Sequence, residues 1–217
     1  MIASLSLLYS SVLAGADLNN QTKQFTPSSE MHPTDWSSSD ELQRTWDAAL
    51  VRIPRNHQVY AGQISDLALK ALPVKAKLPT IIYLHGCSGV WWGTYIRLDF
   101  FAANGFAVIA PVSFARAKYP KSCEPATKKA GLYRDILKKR QYDAINSFRN
   151  SKELDWVDSK HIIKDGFSEG GITSATVSTD FDSDVNARVI EGWTCHARWS
   201  EYRGINAASS EPVLALV

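Results

Sequence analysis

The chain has 217 residues, of which 45% are hydrophobic. That suits one globular domain with a sizeable core and argues against a disordered chain. A formal charge of +2 is too balanced to point to nucleic acid or to an anionic membrane as partner.

Residues 1–16 form an uncharged apolar run ending in Ala14-Gly15-Ala16. The run resembles a secretory signal with a small-residue cleavage site, although no Lys or Arg precedes it. It is too short for stable membrane insertion as a spanning helix. Read as a signal it implies a periplasmic or secreted protein; read as a plain N-terminal extension it implies a cytoplasmic one. Residues 17–48 read as a polar N-terminal extension containing Pro27, Pro33 and Ser37-Ser38-Ser39, in which Asp40 is placed to cap a short helix through Trp46. Residues 49–217 read as the folded domain. It opens with strands at 49–53 and 59–64 around the turn Pro54-Arg55-Asn56, followed by a loop over 67–78.

From Thr80 the pattern changes. Thr80-Ile81-Ile82-Tyr83-Leu84 is a continuous apolar run stopped by His85-Gly86. A helix is expected over 94–103, with Gly105 just behind it as a stop. A second buried strand spans 106–110, and a polar helix lies near 133–150. Further strands are expected at 161–165, 187–193 and 212–217, with a helix at 169–178 between the first two. Short apolar strands alternating with helices predict an α/β domain whose mostly parallel sheet is covered on both faces. Ligands bind such sheets outside the carboxyl ends of the strands. Cys87, Cys123 and Cys195 are an odd number. In an oxidising compartment one pair can bridge and one thiol remains, and the sequence does not choose the pair. The absence of a Cys-x-x-Cys spacing argues against a metal site.

One stretch names a chemistry. Gly166-Phe167-Ser168-Glu169-Gly170-Gly171 follows an apolar strand and precedes a helix. In that context a serine stands exposed on a sharp turn, with helix N–H groups beside it and flanking glycines that avoid clashes. As a bare pattern Gly-x-Ser-x-Gly is weak, since a glycine-rich turn in a non-catalytic protein produces it too. A second loop, His85-Gly86-Cys87-Ser88-Gly89, points the same way. It offers the N–H of Cys87 which, with that of Glu169, forms the candidate oxyanion hole for a nucleophile at Ser168.

On these residues, with Ala107 to Pro111 and Phe114-Ala115-Arg116, the stretch 50–217 resembles the dienelactone hydrolase family of the α/β-hydrolase fold. The resemblance implies hydrolysis of a small carboxylic ester or lactone through an acyl-enzyme, without cofactor. It makes Arg116 a candidate for holding a substrate carboxylate. His85, Trp91 and His196 are the other candidate substrate contacts. Dienelactone hydrolases proper use a cysteine where this chain has Ser168, and the acidic residue of their oxyanion loop is absent here. Both departures move the expectation toward a broader esterase-like branch. Prolyl-oligopeptidase-like peptidases share the Gly-x-Ser-x-Gly-Gly form, and a non-catalytic binder, with Trp91, Trp92 and Arg116 around its ligand, uses the same scaffold.

The serine needs a base and an acid. After Ser168 the sole histidine is His196. Asp180, Asp182 and Asp184 fall between a helix and a strand, which places them at the opposite edge of the sheet. By the resemblance, the acid follows the strand at 213–217 and the histidine comes later. The expectation is a C-terminally truncated domain lacking its last strand and helix, with little activity alone.

Overall fold

The structure, a computed structural model, describes residues 24–55, 58–66, 69, 76–178, 185–193 and 195–217. The apolar leader at 1–16, most of the 67–78 loop and the three aspartates at 180, 182 and 184 lie outside the described residues. Two short helices, α1 (Thr34–Ser37) and α2 (Ser39–Asp47), lead into the hairpin β1 (Leu50–Arg55) and β2 (Gln58–Gln63). Then come β3 (Leu78–Leu84), α3 (Trp92–Ala103), β4 (Ala107–Ala110), a small hairpin of β5 (Cys123–Glu124) and β6 (Lys129–Ala130), and α4 (Ile136–Lys152). The chain closes with β7 (Val157–Phe167), α5 (Glu169–Thr176), β8 (Val185–Glu191) and β9 (Val213–Leu216).

Seven strands form one sheet in the order β2-β1-β4-β3-β7-β8-β9. β1 is antiparallel to both β2 and β4, and all other pairs are parallel. An antiparallel edge, a crossover that puts β4 outside β3, and a serine turn on the central strand make this an α/β-hydrolase fold.

The apolar runs are buried on both faces, as parallel strands require. In β3 the period of two sends Ile82 and Leu84 to one core with Trp46, Ile109, Ala144 and Phe148, under α2 and α4. Ile81 and Tyr83 go to the other core with Val108, Leu98 and Phe114, under α3. The described part of the N-terminal extension joins in, with the Phe25 ring edge-on to Phe114 at 6.1 Å.

Two strand boundaries differ from the sequence pattern. β7 begins at Val157, which pairs with Leu78; the polar residues Asp158 to His161 fall in an irregularity before the ladder resumes at Ile162. β8 stops at Glu191, where Gly192 turns the chain at φ +64° and donates its N–H to the Leu216 carbonyl. Trp92, Ile96 and Phe100, spaced one turn apart on α3, are exposed, as are Val213, Leu214 and Leu216 of β9. Among the described residues no helix is long and apolar enough to cross a membrane.

Candidate active site

The turn from β7 to α5 is fixed by backbone contact. Ser168 has φ +56° and ψ −114°, a region costly for any residue with a Cβ. Its N–H donates to the Glu191 carbonyl (2.8 Å), and its carbonyl accepts from Ile172 N–H (2.9 Å). A Cβ at Gly170 would stand 1.9 Å from the Leu84 carbonyl oxygen, and one at Gly166 2.1 Å from that of Gly170. A Cβ at Gly171 would stand 2.8 Å from the Glu191 oxygen. The three glycines are therefore what lets α5 start against the ends of β3 and β8.

Ser168 opens into a cavity of about 620 Å³. Phe167 and Ser168 form one side, and Gly86, Cys87 and Ser88 of the loop after β3 form a second. Val90 and Trp91 continue that wall. The small hairpin closes the cavity with Cys123, Pro125, Lys128, Lys129 and Ala130. A disulfide joins Cys87 to Cys123, 36 residues apart, so the loop after β3 and the hairpin are covalently one wall. Cys195 is the free thiol, and burial pushes its pKa up.

The sequence candidates divide into those at the cavity and those away from it. Ser168, Cys87 and Trp91 line it. Glu169 is the first residue of α5, so its N–H has no intrahelical acceptor. No backbone carbonyl among the described residues takes the Cys87 N–H. The Glu169 side chain is buried, and burial raises its carboxyl pKa against the opposing pull of Arg140.

His85 does not reach the cavity. Its ring is fully buried and stacked on Phe114. Nδ1–H donates to the Gly86 carbonyl (2.8 Å), and Nε2 accepts from Ser113 N–H (3.2 Å). Burial, then the nearby Arg140 charge, hold its pKa well below the usual histidine value. It is a neutral strut under the Cys87 loop, away from the cavity.

Arg116 is likewise corrected. It is fully buried, with Nε and Nη2 on Asp143 Oδ1 (3.0 and 2.7 Å). Its remaining donors reach the carbonyls of Asp35 (2.7 Å) and Trp36 (3.0 Å). The fork that suits a substrate carboxylate instead ties the N-terminal segment to α4. His196 follows β8 on an exposed stretch and is not among the residues lining the cavity. Trp92 sits beside Trp91, 68% exposed, and does not line the cavity either.

Sequence reasoning missed the supports. Arg140 of α4, fully buried, donates to the His85 carbonyl and so anchors the end of β3. Arg97 pairs with Glu191 (2.8 Å) and lies over the Phe167 ring at 4.5 Å, bracing the cavity side from below. Asp165, fully buried three residues before Ser168, has neither carboxylate oxygen hydrogen-bonded. Burial and the Glu191 charge raise its pKa to about 8, with the Arg97 charge opposing. Arg188, buried in β8, binds Glu211 through two donors (2.9 Å each) and caps the end of α5 at the Ser174 and Ala175 carbonyls (2.6 and 2.7 Å). The available signal was charge inside apolar strands, since a Lys, Asp or Arg at the centre of a buried run must be paired or neutral.

No protein-family model matches the chain, and no curated protein matches it. Solved structures do. The chain is similar to Est1E from Butyrivibrio proteoclasticus, at 16% identity and TM-score 0.43, over 65% of this chain and 44% of that one. It is similar to a putative dienelactone hydrolase from Klebsiella pneumoniae, at 14% identity and TM-score 0.48, over 77% of this chain and 70% of that one. An acetyl xylan esterase from Aspergillus awamori matches at 13% identity and TM-score 0.42, over 65% and 45%. The chain thus spans under half the length of the first and third.

Proposed function

We propose that the fold is built for carboxylic-ester hydrolysis, with Ser168 as nucleophile and the N–H groups of Cys87 and Glu169 as the oxyanion hole. One observation carries this reading. Ser168 is held at a costly backbone conformation, by glycines that tolerate no Cβ, at the mouth of a cavity whose facing wall contains the Cys87 loop. Strain of that kind persists where the surrounding structure over-determines it, which is the usual condition of a reacting residue. Attack by Oγ on the ester carbonyl forms the tetrahedral oxyanion. Collapse releases the alcohol and leaves an acyl-serine for water to cleave.

The proton on Oγ needs an acceptor. Among the described residues no histidine and no carboxylate lines the cavity. Turnover by this 217-residue chain is therefore expected to stay within the roughly 10³–10⁴-fold over water that an oxyanion hole and binding supply. A fluorophosphonate probe tests the reading once imidazole is added as an external base for the Ser168 proton. Labelling at Ser168, lost in Ser168→Ala, is the expected result, and silence in a folded protein sinks it. That silence would favour ligand binding without chemistry, a reading the lack of a base among the cavity residues supports. We place the protein in an oxidising compartment, periplasmic or secreted, a reading supported by the Cys87–Cys123 bridge.

A further inference from the structure

We infer that Lys128 and Lys129 make this cavity selective for esters that carry a free carboxylate. The inference rests on the ester-hydrolase reading and adds the substrate's charge to it. Lys128 and Lys129 are the charged side chains among the described residues that line the cavity, and no Asp or Glu is among them. Other basic groups of the same segment are already engaged. Lys118 lies 3.6 Å from Asp35, Lys121 pairs with Glu124, and Arg134 lies 3.1 Å from Glu201. Glu124 stands opposite Lys129 across the hairpin, but its carboxylate is the one held by Lys121.

The hairpin presents this pair in a defined place. Residues Pro125–Thr127 make one tight helical turn, and Lys128 follows in the left-handed conformation at φ +54°, ψ +34°, its N–H bonded to the Pro125 carbonyl (3.1 Å). Lys129 and Ala130 then pair back on Glu124 and Cys123. Because Cys123 is bonded to Cys87, the lysines sit at a fixed remove from the candidate oxyanion hole. The other cavity contacts include Val90, Trp91 and Phe167, which are apolar. A ligand with an apolar middle, an ester at Ser168 and an anion at the hairpin matches all of these walls. Both lysines are exposed, so the selectivity is modest and salt-sensitive.

The test uses two esters of one shape, monobenzyl succinate and its neutral methyl ester, binding to the Ser168→Ala protein in a calorimeter. The monoanion is expected to bind about tenfold tighter at low salt, a gap that narrows as salt is added. Replacing both lysines (Lys128→Gln with Lys129→Gln) should bring the anion down to the affinity of the neutral ester. Equal binding of the two esters, failure of the monoester to bind, or a preference that survives the double substitution overturns the inference. Fluorophosphonate labelling of the unsubstituted protein is read alongside. Labelling without charge preference removes this inference and keeps the hydrolase reading, whereas charge preference without labelling keeps the anion site and removes the hydrolase.

Discussion

The two sides of the cavity are held by opposite means. On the Ser168 side the turn itself is held backbone against backbone, with Gly166, Gly170 and Gly171 packed so closely that no side chain fits. On the hairpin side β5 and β6 are two residues each, β6 is exposed, and a covalent bond from Cys123 ties them to the Cys87 loop. The first arrangement needs no particular solvent or redox state. The second does, and the comparison shows that Ser168 and the loop carrying one of its proposed N–H donors depend on different conditions.

The sharpest break comes from the glycine side. Gly170→Ala, with its methyl 1.9 Å from a carbonyl oxygen, is expected to cost more than about 4 kcal/mol in denaturant unfolding and to abolish probe labelling. Next comes the hairpin. Closing a 36-residue loop is worth about 4 kcal/mol in the chain-entropy model, so reduction, or Cys123→Ser, is expected to lower stability by up to that amount. Labelling of Ser168 should slow under reduction while the sheet's far-ultraviolet signal persists. Loss of both together would mean that the hairpin is not a separate wall.

A smaller effect belongs to Asp165. Its folded pKa of about 8 lies above the unfolded value of 3.8, so the folded state holds a proton that the unfolded chain has released. Stability contributed by this group is greatest at low pH and falls as pH rises from about 4 to about 8. Asp165→Asn keeps the shape without the charge and should raise stability at pH 8 by roughly 1–3 kcal/mol, with little change at pH 4. Melting curves at the two pH values check it; equal gains at both would show that ionisation is not the cause. The smallest change is Ser168→Gly, expected to stabilise by about 1 kcal/mol through relief of the positive φ, at the expense of all labelling.

The fold was legible because its strands are buried on both faces, so Thr80 to Leu84 and Ala107 to Ala110 had to be continuous apolar runs. The serine turn was legible because steric demand there is local and leaves glycines in the sequence. What the sequence hid was long-range pairing. Arg116 stands after a strand where a ligand-binding residue fits, and nothing nearby reveals that Asp143 and the Asp35 and Trp36 carbonyls consume its donors. His85 is hidden in the same way, because its neutral state comes from burial and then from Arg140, 55 residues away. The cysteine pair stayed open because spacing carries no information on which thiols meet.

The Cys87–Cys123 bond also draws a ring through the chain. α3 and β4 lie inside that covalent loop, together with the stretch to Ser122, whereas Ser168 and α5 lie outside it. A single proteolytic cut between residues 88 and 122 leaves one connected molecule on a non-reducing gel and two fragments once thiol is added. A cut between residues 124 and 167 separates at once the piece that bears Ser168 from the piece that bears the Cys87 loop.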